Sequence, residues 1–441
     1  MRFSFLILLT CCLLNASSQE NVYPAKENKG ITFIKNATIH VGNGKVIENG
    51  SIKISNGKIE QVGADISVPP GDANVVDAKG KHVYPGLILP VSNLGLIEVS
   101  AVRATTDVRE LGEMNASVRT IVAYNADSKV INTLRSNGIL LANIVPQGSL
   151  IAGSSSVVQL DAWNWEDAAY KTDAGIHLYM PSLIPRPRFG GTGSAGGSDP
   201  QQTQPDPVKE GLDKIEQVKT FFSEAKAYHT AEAHEETNLK FAAVKGLYNK
   251  AQKLYVHANT VKQMLVALDF RTEFGFDIVI VGGSESWQIA DLLKQNDVSV
   301  ILQQSHSLPA MKDDDIDQPY KTAAILQKAG VLFSISDDDA GTRGRNLPFN
   351  AGTAAAYGLT KEEALQSITL NAAKILGVED KTGSIEPGKD ANIVISEGDI
   401  LDMRSSIITD AFIQGRKIDL TDKHKQLYER YNQKYNLKKP F

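Results

Sequence analysis

The sequence predicts an α/β protein whose centre is either a parallel β-sheet covered by helices on both faces or a closed βα barrel. Apolar segments such as DIVIVGG (277–283) and VLFSIS (331–336) alternate with amphipathic segments such as ESWQIADLLKQN (285–296). Strands that are buried on both faces form near-continuous apolar runs, and their alternation with helices is typical of parallel sheets. Short β segments precede and follow this core, at residues 31–63 and from residue 382 onward.

The first β segments are separated by Asn-Gly pairs at residues 43–44, 49–50 and 56–57. Both residue types tolerate the positive φ angles of tight hairpin turns. Ile52 and Ile54 alternate with Lys53 between two of these pairs, which predicts a half-buried strand.

In the second half, Thr360 and Glu363 have the spacing of a capping box and predict a helix that starts there. Residues 185–207 contain mostly Gly, Pro, Gln and Ser, so they predict a loop with little to bury. The Ala-, Glu- and Lys-rich segment that follows predicts helix, and the two together indicate an insertion at one position of the core.

The N-terminus has the pattern of a secretory signal peptide. Arg2 is followed by the apolar segment 3–14, and Ala16 and Ser18 provide small residues before a cleavage site at Gln19. Both cysteines, Cys11 and Cys12, lie in this segment, so the cleaved chain is expected to have no disulfide and no thiolate nucleophile. Lipidation of Cys11 is a weaker alternative.

Length and charge exclude some classes of function. A chain of 441 residues suits one large domain with a satellite, or two domains. A net charge of -5 gives no basic surface for nucleic acid, and after the signal peptide no segment is apolar and long enough to predict a membrane span.

Three motifs resemble the amidohydrolase superfamily, and more narrowly its imidazolonepropionase-like branch. They are GKHVYPGLI (80–88), TGSIEPGKDANIVI (382–395) and SITLNAAKILGV (367–378). The resemblance implies a (β/α)8 barrel of the TIM type and a small β-sandwich formed from both chain ends. It divides the chain into a signal peptide (1–18), a first part of the sandwich (19–84), the barrel (85–383) with an insertion at about 185–207, a second part of the sandwich (384–420) and a basic tail (421–441).

The resemblance also implies one or two divalent metals at the C-terminal mouth of the barrel, where a metal-bound hydroxide attacks a carbonyl group. Family members take ligands from an H-x-H on strand 1, a Lys or Glu on strand 4, histidines on strands 5 and 6 and an Asp on strand 8. In this chain the H-x-H positions are Val91 and Asn93, which are the lost ligand positions. Strand 4 offers Tyr179 and Met180, and strand 6 ends in two glycines, Gly282 and Gly283.

Two residues match the remaining ligands. His257 lies where the resemblance places the strand 5 histidine, and Asp339 matches the strand 8 aspartate, the ligand or general base of the family. Asp337 and Asp338 stay open as alternatives to Asp339. His306, after strand 7, is a third candidate ligand if its loop folds inward. Catalytic zinc usually has three protein ligands. His257, Asp339 and His306 together therefore predict at most one divalent metal, and zinc is the first choice.

The segment after strand 8 places Arg343, Arg345 and Asn346 near the barrel mouth, where TIM barrels concentrate function, so they are candidate substrate contacts.

Two interpretations stay open. The first is a secreted, periplasmic hydrolase that acts on small-molecule C–N bonds other than ordinary peptide bonds, with weak or altered activity because its metal site is incomplete. The second is an inactive protein of the same fold that binds a ligand, or that pairs with itself or with an active homologue. The fold alone does not decide between them, because function lies in the site.

Overall fold

The computed structural model describes residues 22–64, 66–67, 73–148, 150–184, 206–231, 236–337 and 342–437. The predicted signal peptide, most of the predicted insertion loop, Asp338 and Asp339 lie outside the described residues. Within them, no helix is both long and apolar enough to cross a membrane.

One sheet is built from strands of both chain ends. Its strands are β1 (Ile31–His40), β2 (Val46–Ser55), β3 (Lys58–Gly63), β4 (Ala73–Asp77), β5 (His82–Pro85), β14 (Ile393–Ser396), β15 (Ile408–Ile413) and β16 (Arg416–Lys417). The order is β16-β15-β14-β5-β1-β2-β3, with β4 paired to β1. The link between the two ends is the antiparallel pair of β5 and β14, which confirms that both ends build this part of the fold.

The Asn56-Gly57 pair forms the predicted turn. Ser55 at the end of β2 pairs with Lys58 at the start of β3, and the two turn residues have φ angles of 49° and 77°. The sheet has a hydrophobic core of its own, in which Ile52 and Ile54 are buried.

The second sheet is a nearly closed barrel of eight strands in sequential order. They are β6 (Leu87–Ser92), β7 (Ile139–Ile144), β8 (Ile151–Gln159), β9 (Ala169–Tyr179), β10 (Lys253–Ala258), β11 (Ile278–Gly282), β12 (Ser299–Leu302) and β13 (Phe333–Ile335). Between the first and last strands, Ser336 Oγ donates a hydrogen bond to the carbonyl of Val91, at 3.2 Å. The TIM-type barrel is therefore confirmed.

One strand departs from the all-parallel pattern. β8 runs antiparallel to both neighbours, while all other pairs in the barrel are parallel. Only residues 145–150 connect β7 to β8, and a parallel connection needs a crossover of a dozen or more residues.

Helices lie between the strands and after the last one. They are α1 (Thr120–Ala123), α2 (Lys129–Arg135), α3 (Trp165–Ala168), α4 (Pro207–Thr230), α5 (Leu239–Ala243), α6 (Lys245–Tyr248), α7 (Val261–Phe274), α8 (Ala290–Gln295), α9 (Gln318–Ala329), α10 (Leu347–Ala356), α11 (Lys361–Ser367), α12 (Leu370–Leu376) and α13 (Lys423–Tyr435). The predicted capping box at Thr360 and Glu363 starts α11, with both of its hydrogen bonds present.

The N-terminal end of the barrel is closed by the last turn of α12. Lys253 Nζ donates to the carbonyl of Ile375 at 2.8 Å, Tyr255 Oη donates to the same carbonyl at 3.1 Å, and Lys171 Nζ donates to the carbonyl of Leu376 at 3.1 Å. Cations at a helix C-terminus are favourable, since the last carbonyl groups have no partner in the helix. Access to the barrel interior is therefore from the opposite end.

A buried ion network joins the barrel to the chain ends. Asp161, just after β8, is bound by Arg135 of α2 at 2.5 Å and by Arg416 of β16 at 3.1 Å. The backbone N–H of Ala25 donates to the same carboxylate at 2.9 Å. A buried charge is tolerated only when it is paired and hydrogen-bonded, so this network fixes how the end sheet sits on the barrel.

Candidate functional site

A cavity of about 290 Å³ opens at the C-terminal ends of the parallel barrel strands. This is the end at which TIM barrels carry their functional residues. The lining residues are all uncharged: Val91, Ser92, Asn93, Val145, Gln147, Tyr179, Met180, His257, Asn259, Gln263, Val281 and Gln303. Among the described residues, this cavity therefore presents amide, hydroxyl, imidazole and apolar groups but no carboxylate and no cation.

Two histidines form a pair at the base of this cavity. In the register of β9 and β10, His177 pairs with Tyr255 and Tyr179 pairs with His257, so all four side chains point into the barrel. His177 Nδ1 and His257 Nε2 are 2.9 Å apart. The ring of His257 stacks on Tyr179 with centroids 3.8 Å apart, and the ring of His177 stacks on Tyr255 at 4.9 Å.

Burial keeps both imidazoles neutral. Desolvation holds the pKa of His257 at about 3, and desolvation together with the neighbouring His257 holds the pKa of His177 well below its ordinary value. Two neutral rings share one hydrogen bond only if one nitrogen donates and the other accepts.

The hydrogen bond also assigns the tautomers. His177 is fully buried, and its Nε2 has no partner among the described residues. Since buried N–H groups without an acceptor are rare, the favoured arrangement has His177 donating from Nδ1 to His257 Nε2. His257 then carries its proton on Nδ1, the one nitrogen it has left for the cavity.

The two positions that the sequence predicts to be lost ligand positions line the same cavity. Val91 and Asn93 are 7% and 5% exposed. The side-chain oxygen of Asn93, Oδ1, is buried and has no hydrogen-bond partner within the described part of the chain. Leaving a buried acceptor without a donor costs free energy, so this oxygen marks a position where a ligand N–H would be stabilising.

The end of β11, the sixth strand of the barrel, cannot hold a histidine without rearrangement. Gly282 has a φ of +103°, a backbone conformation that side-chain-bearing residues rarely adopt. A Cβ atom there would lie 2.4 Å from Oδ1 of Asn259. The carboxamide of Asn259 therefore packs where a side chain at this position would begin.

The third candidate ligand and the candidate substrate contacts bond to other partners. His306 is exposed and contacts Thr353 Oγ1 at 2.8 Å. Arg343 donates to Gln304, and Arg345 donates to His424 of α13 at 3.3 Å. Asn346 stands just before α10, where its carbonyl accepts from Asn350. None of the four sequence candidates is among the residues that line the 290 Å³ cavity.

Three aspartates follow β13, the eighth strand of the barrel, and the structure describes only the first of them. Asp337 is buried and accepts a hydrogen bond from Asn350 Nδ2 of α10, at 3.2 Å. Asp338 and Asp339 lie outside the described residues, so the choice among the three remains a prediction.

A metal does not fit the donors that the structure describes. Among the described residues, no group of three or more His, Cys, Asp or Glu side chains is arranged to hold a metal ion. Nε2 of His257 already bonds to His177. Catalytic zinc usually takes three protein ligands, and a neutral carboxamide such as Asn93 is a poor substitute.

Sequence reasoning missed His177. The strand segment GIHLYM offered Tyr179 and Met180 as the strand 4 residues, but the side chain two positions earlier points to the same side of the strand. The two-residue period of side-chain direction along a strand was therefore the signal that could have identified His177.

An eight-stranded barrel with a mouth cavity and a sheet from both chain ends defines a TIM-barrel protein of the metal-dependent hydrolase type. The model of the amidohydrolase family matches residues 200–420, half of the chain. The chain therefore belongs to the amidohydrolase family, whose members are typically metal-dependent.

Relatives and solved structures agree with this assignment. An imidazolonepropionase from Thermoplasma volcanium is 40% identical over 86 residues, 19% of this chain and 21% of that protein. The chain thus spans about a fifth of the length of that relative. The structure of an amidohydrolase from Thermotoga maritima is 26% identical with a TM-score of 0.74, and the match covers 88% of this chain and 99% of that one.

Two further structures share the fold at lower identity. A putative prolidase from Bifidobacterium longum is 18% identical with a TM-score of 0.53, over 91% of this chain and 99% of its own. An adenosine deaminase from Xanthomonas campestris, solved with bound zinc, is 15% identical with a TM-score of 0.52, over 93% and 99%.

Proposed function

We propose that the barrel mouth binds a small, neutral molecule that carries an amide, lactam or peptide-like group, and that it does so without a catalytic metal. The observation that carries this proposal is Asn93 Oδ1, a buried acceptor without a partner in the described residues, in a cavity with no charged lining residue among them. A buried acceptor favours a ligand N–H, and the uncharged lining gives a carboxylate or phosphate no ionic partner.

Recognition of the amide would use both of its polar groups. Asn93 Oδ1 accepts from the ligand N–H, and the Nδ1–H of His257 donates to the ligand carbonyl. His177 holds the ring of His257 in the donating form, while the stack on Tyr179 fixes its plane. Gln263 supports the wall, because its Nε2 donates to the carbonyl of Pro181 at 3.0 Å.

Calorimetry with N-acetylglycinamide and 2-pyrrolidinone tests this function. Each probe is expected to bind the wild type, and Asn93→Leu is expected to weaken binding by about tenfold, since one hydrogen bond in a buried site is worth about that factor. Gln147→Leu, within the cavity, is expected to weaken binding less. Gln295→Leu, an exposed carboxamide at the end of α8, is the matched control and keeps wild-type affinity. Absence of binding by both probes would contradict the proposal.

Hydrolysis of the bound C–N bond is a second candidate function. It is favoured by membership of the amidohydrolase family and by the similarity to imidazolonepropionase. In this candidate Asp339 is the general base toward water and the Nδ1–H of His257 donates to the carbonyl oxygen, while Arg343, Arg345 and Asn346 remain the substrate contacts expected from the sequence. Turnover of amides, lactams and proline dipeptides, compared across Asp337→Asn, Asp338→Asn and Asp339→Asn, tests it. Loss in one variant alone would identify the base, and no turnover in the wild type would leave binding as the function.

Secretion belongs to the same proposal. It is supported by the pattern of residues 1–18, and the mature chain is expected to begin at Gln19. Mass spectrometry of the protein from a periplasmic extract checks this. Pairing with a second copy or with a homologue stays a prediction that light scattering addresses.

A further inference from the structure

A second cavity, of about 300 Å³, adjoins the one at the barrel mouth. It lies between the ends of β11 and β12, the loop of residues 303–317 and the start of α9. Asn259 and Gln303 line both cavities, so they form the shared wall between them.

The polar groups of this second cavity mostly bond to the protein itself. Gln318 Nε2 donates to Thr322 Oγ1 at 3.3 Å, and Thr322 Oγ1 donates to the carbonyl of Gln318 at 3.0 Å. The hydroxyl of Ser305 donates to the carbonyl of Asn350, and Asp314 accepts from the backbone N–H of Met311. Apart from the carboxylate of Asp314, which keeps further acceptor capacity, groups bonded in this way have little left to offer a polar ligand.

The cavity also presents a set of apolar side chains to a ligand. The lining includes Leu302, Leu308, Pro309, Ala310, Ala323 and Ile335, contributed by β12, the loop, α9 and β13. Leu308 at the rim is 82% exposed, and it would lose that exposure by contact with an apolar group. Ligand pockets of this size are commonly apolar with a few polar groups that fix orientation.

We propose that the second cavity binds an alkyl or aryl group attached to the amide held at the barrel mouth. The ligand is then a neutral amide with one apolar substituent, and the substituent lies between the loop 303–317 and α9. An apolar cavity of about 150 Å³ accommodates benzene, so about 300 Å³ has room for a phenyl or branched alkyl group. This inference rests on the proposed function and deepens it.

Two probes that differ only in the apolar group test the inference. Calorimetry compares N-acetylglycinamide with N-phenylacetylglycinamide on the full mature chain. We expect the phenylacetyl probe to bind about tenfold to a hundredfold tighter, which is the range for complete burial of such a group.

Variants locate the gain in affinity. Ala323→Phe fills the cavity from α9, and Ala310→Trp fills it from the exposed loop, where a folding defect is not expected. Both are expected to remove the advantage of the phenylacetyl probe and to leave the affinity for N-acetylglycinamide unchanged. Ala329→Phe, at the far end of the same helix and outside the cavity, is the matched control.

Each outcome has a distinct meaning. If the acetyl probe binds and the phenylacetyl probe binds no tighter, the inference is wrong while the proposed function stands. If the gain persists in both Ala323→Phe and Ala310→Trp, the apolar group binds elsewhere and the inference is again wrong. If neither probe binds the wild type, the proposed function fails and the inference fails with it.

Discussion

His177 and His257 share a hydrogen bond inside the barrel, with Nδ1 of the first 2.9 Å from Nε2 of the second. The pair occupies neighbouring strands, and both rings are neutral because burial lowers their pKa values. In the sequence His257 resembles a metal ligand, whereas in the structure one of its nitrogens already has a protein partner.

The pair predicts a pH dependence of stability. An unfolded histidine takes up a proton near pH 6.5, while in the folded chain the pKa of His257 is about 3, so the unfolded state binds more protons between these values. The free energy of unfolding is therefore expected to fall as the pH drops below about 6.5, by at most about 1.4 kcal/mol per pH unit for each histidine. Above that pH the contribution is fully present.

Denaturant unfolding at a series of pH values measures this slope. His257→Gln keeps an acceptor for His177 but removes one titrating group, so its free energy of unfolding is expected to depend less on pH between about 4.5 and 6.5. His306→Gln replaces an exposed ring and serves as control. An unchanged slope in His257→Gln would show that the ring does not stay neutral in the fold.

The tautomer of His257 is a second prediction. Long-range proton–nitrogen spectra of histidine-labelled protein are expected to show His257 protonated on Nδ1. His177→Asn retains an N–H donor near the position of Nδ1 and is expected to preserve this form, whereas His177→Leu removes the donor and releases the constraint. A wild-type His257 protonated on Nε2 would contradict the assigned direction of the hydrogen bond.

The backbone at Gly282 predicts a cost for any side chain there. Gly275 also has a positive φ, 76°, but a Cβ atom at that position meets no atom within 4 Å. Gly275→Ala therefore measures the conformational cost alone, about 1 kcal/mol. Gly282→Ala is expected to lose about 1–3 kcal/mol more, because the new Cβ collides with Asn259. Equal losses of stability in the two variants would show that Asn259 moves aside freely and that the end of β11 can accept a metal-ligating side chain.

The ion network around Asp161 predicts a large loss of stability on truncation. Arg135→Met leaves Asp161 buried with one cation fewer, and about 3–5 kcal/mol is expected to be lost from the free energy of unfolding. Arg119→Met, which removes the partly exposed partner of Asp173, is the control and is expected to cost much less. Similar losses in both would mean that Arg416 alone compensates the charge of Asp161.

Local patterns predicted much of the fold. The capping box of Thr360 and Glu363, the turn at Asn56-Gly57 and the apolar strands all depend on residues close in the chain, so they could be predicted before the structure. The direction of β8 could not, because it depends on the length of one connection and on pairing with two other strands.

The site was predicted less completely, for reasons of geometry. The positions of Val91, Asn93 and His257 follow from strand period and resemblance, and the structure places all three around one cavity. The partner of His257 lies 80 residues away in the chain, inside an otherwise apolar strand. Arg345, which follows the eighth barrel strand, bonds to His424 of α13 near the C-terminus of the chain. The spacing of residues in the sequence does not show that this helix packs there.

The metal content of the purified chain decides whether the barrel mouth works without a catalytic metal. The mature chain is purified without chelators or an affinity metal column and analysed for zinc, manganese and iron beside His257→Ala. We expect substoichiometric metal that does not differ between the two proteins. About one ion per chain in the wild type, lost in His257→Ala, would contradict it and would indicate a mononuclear site completed by Asp338 or Asp339.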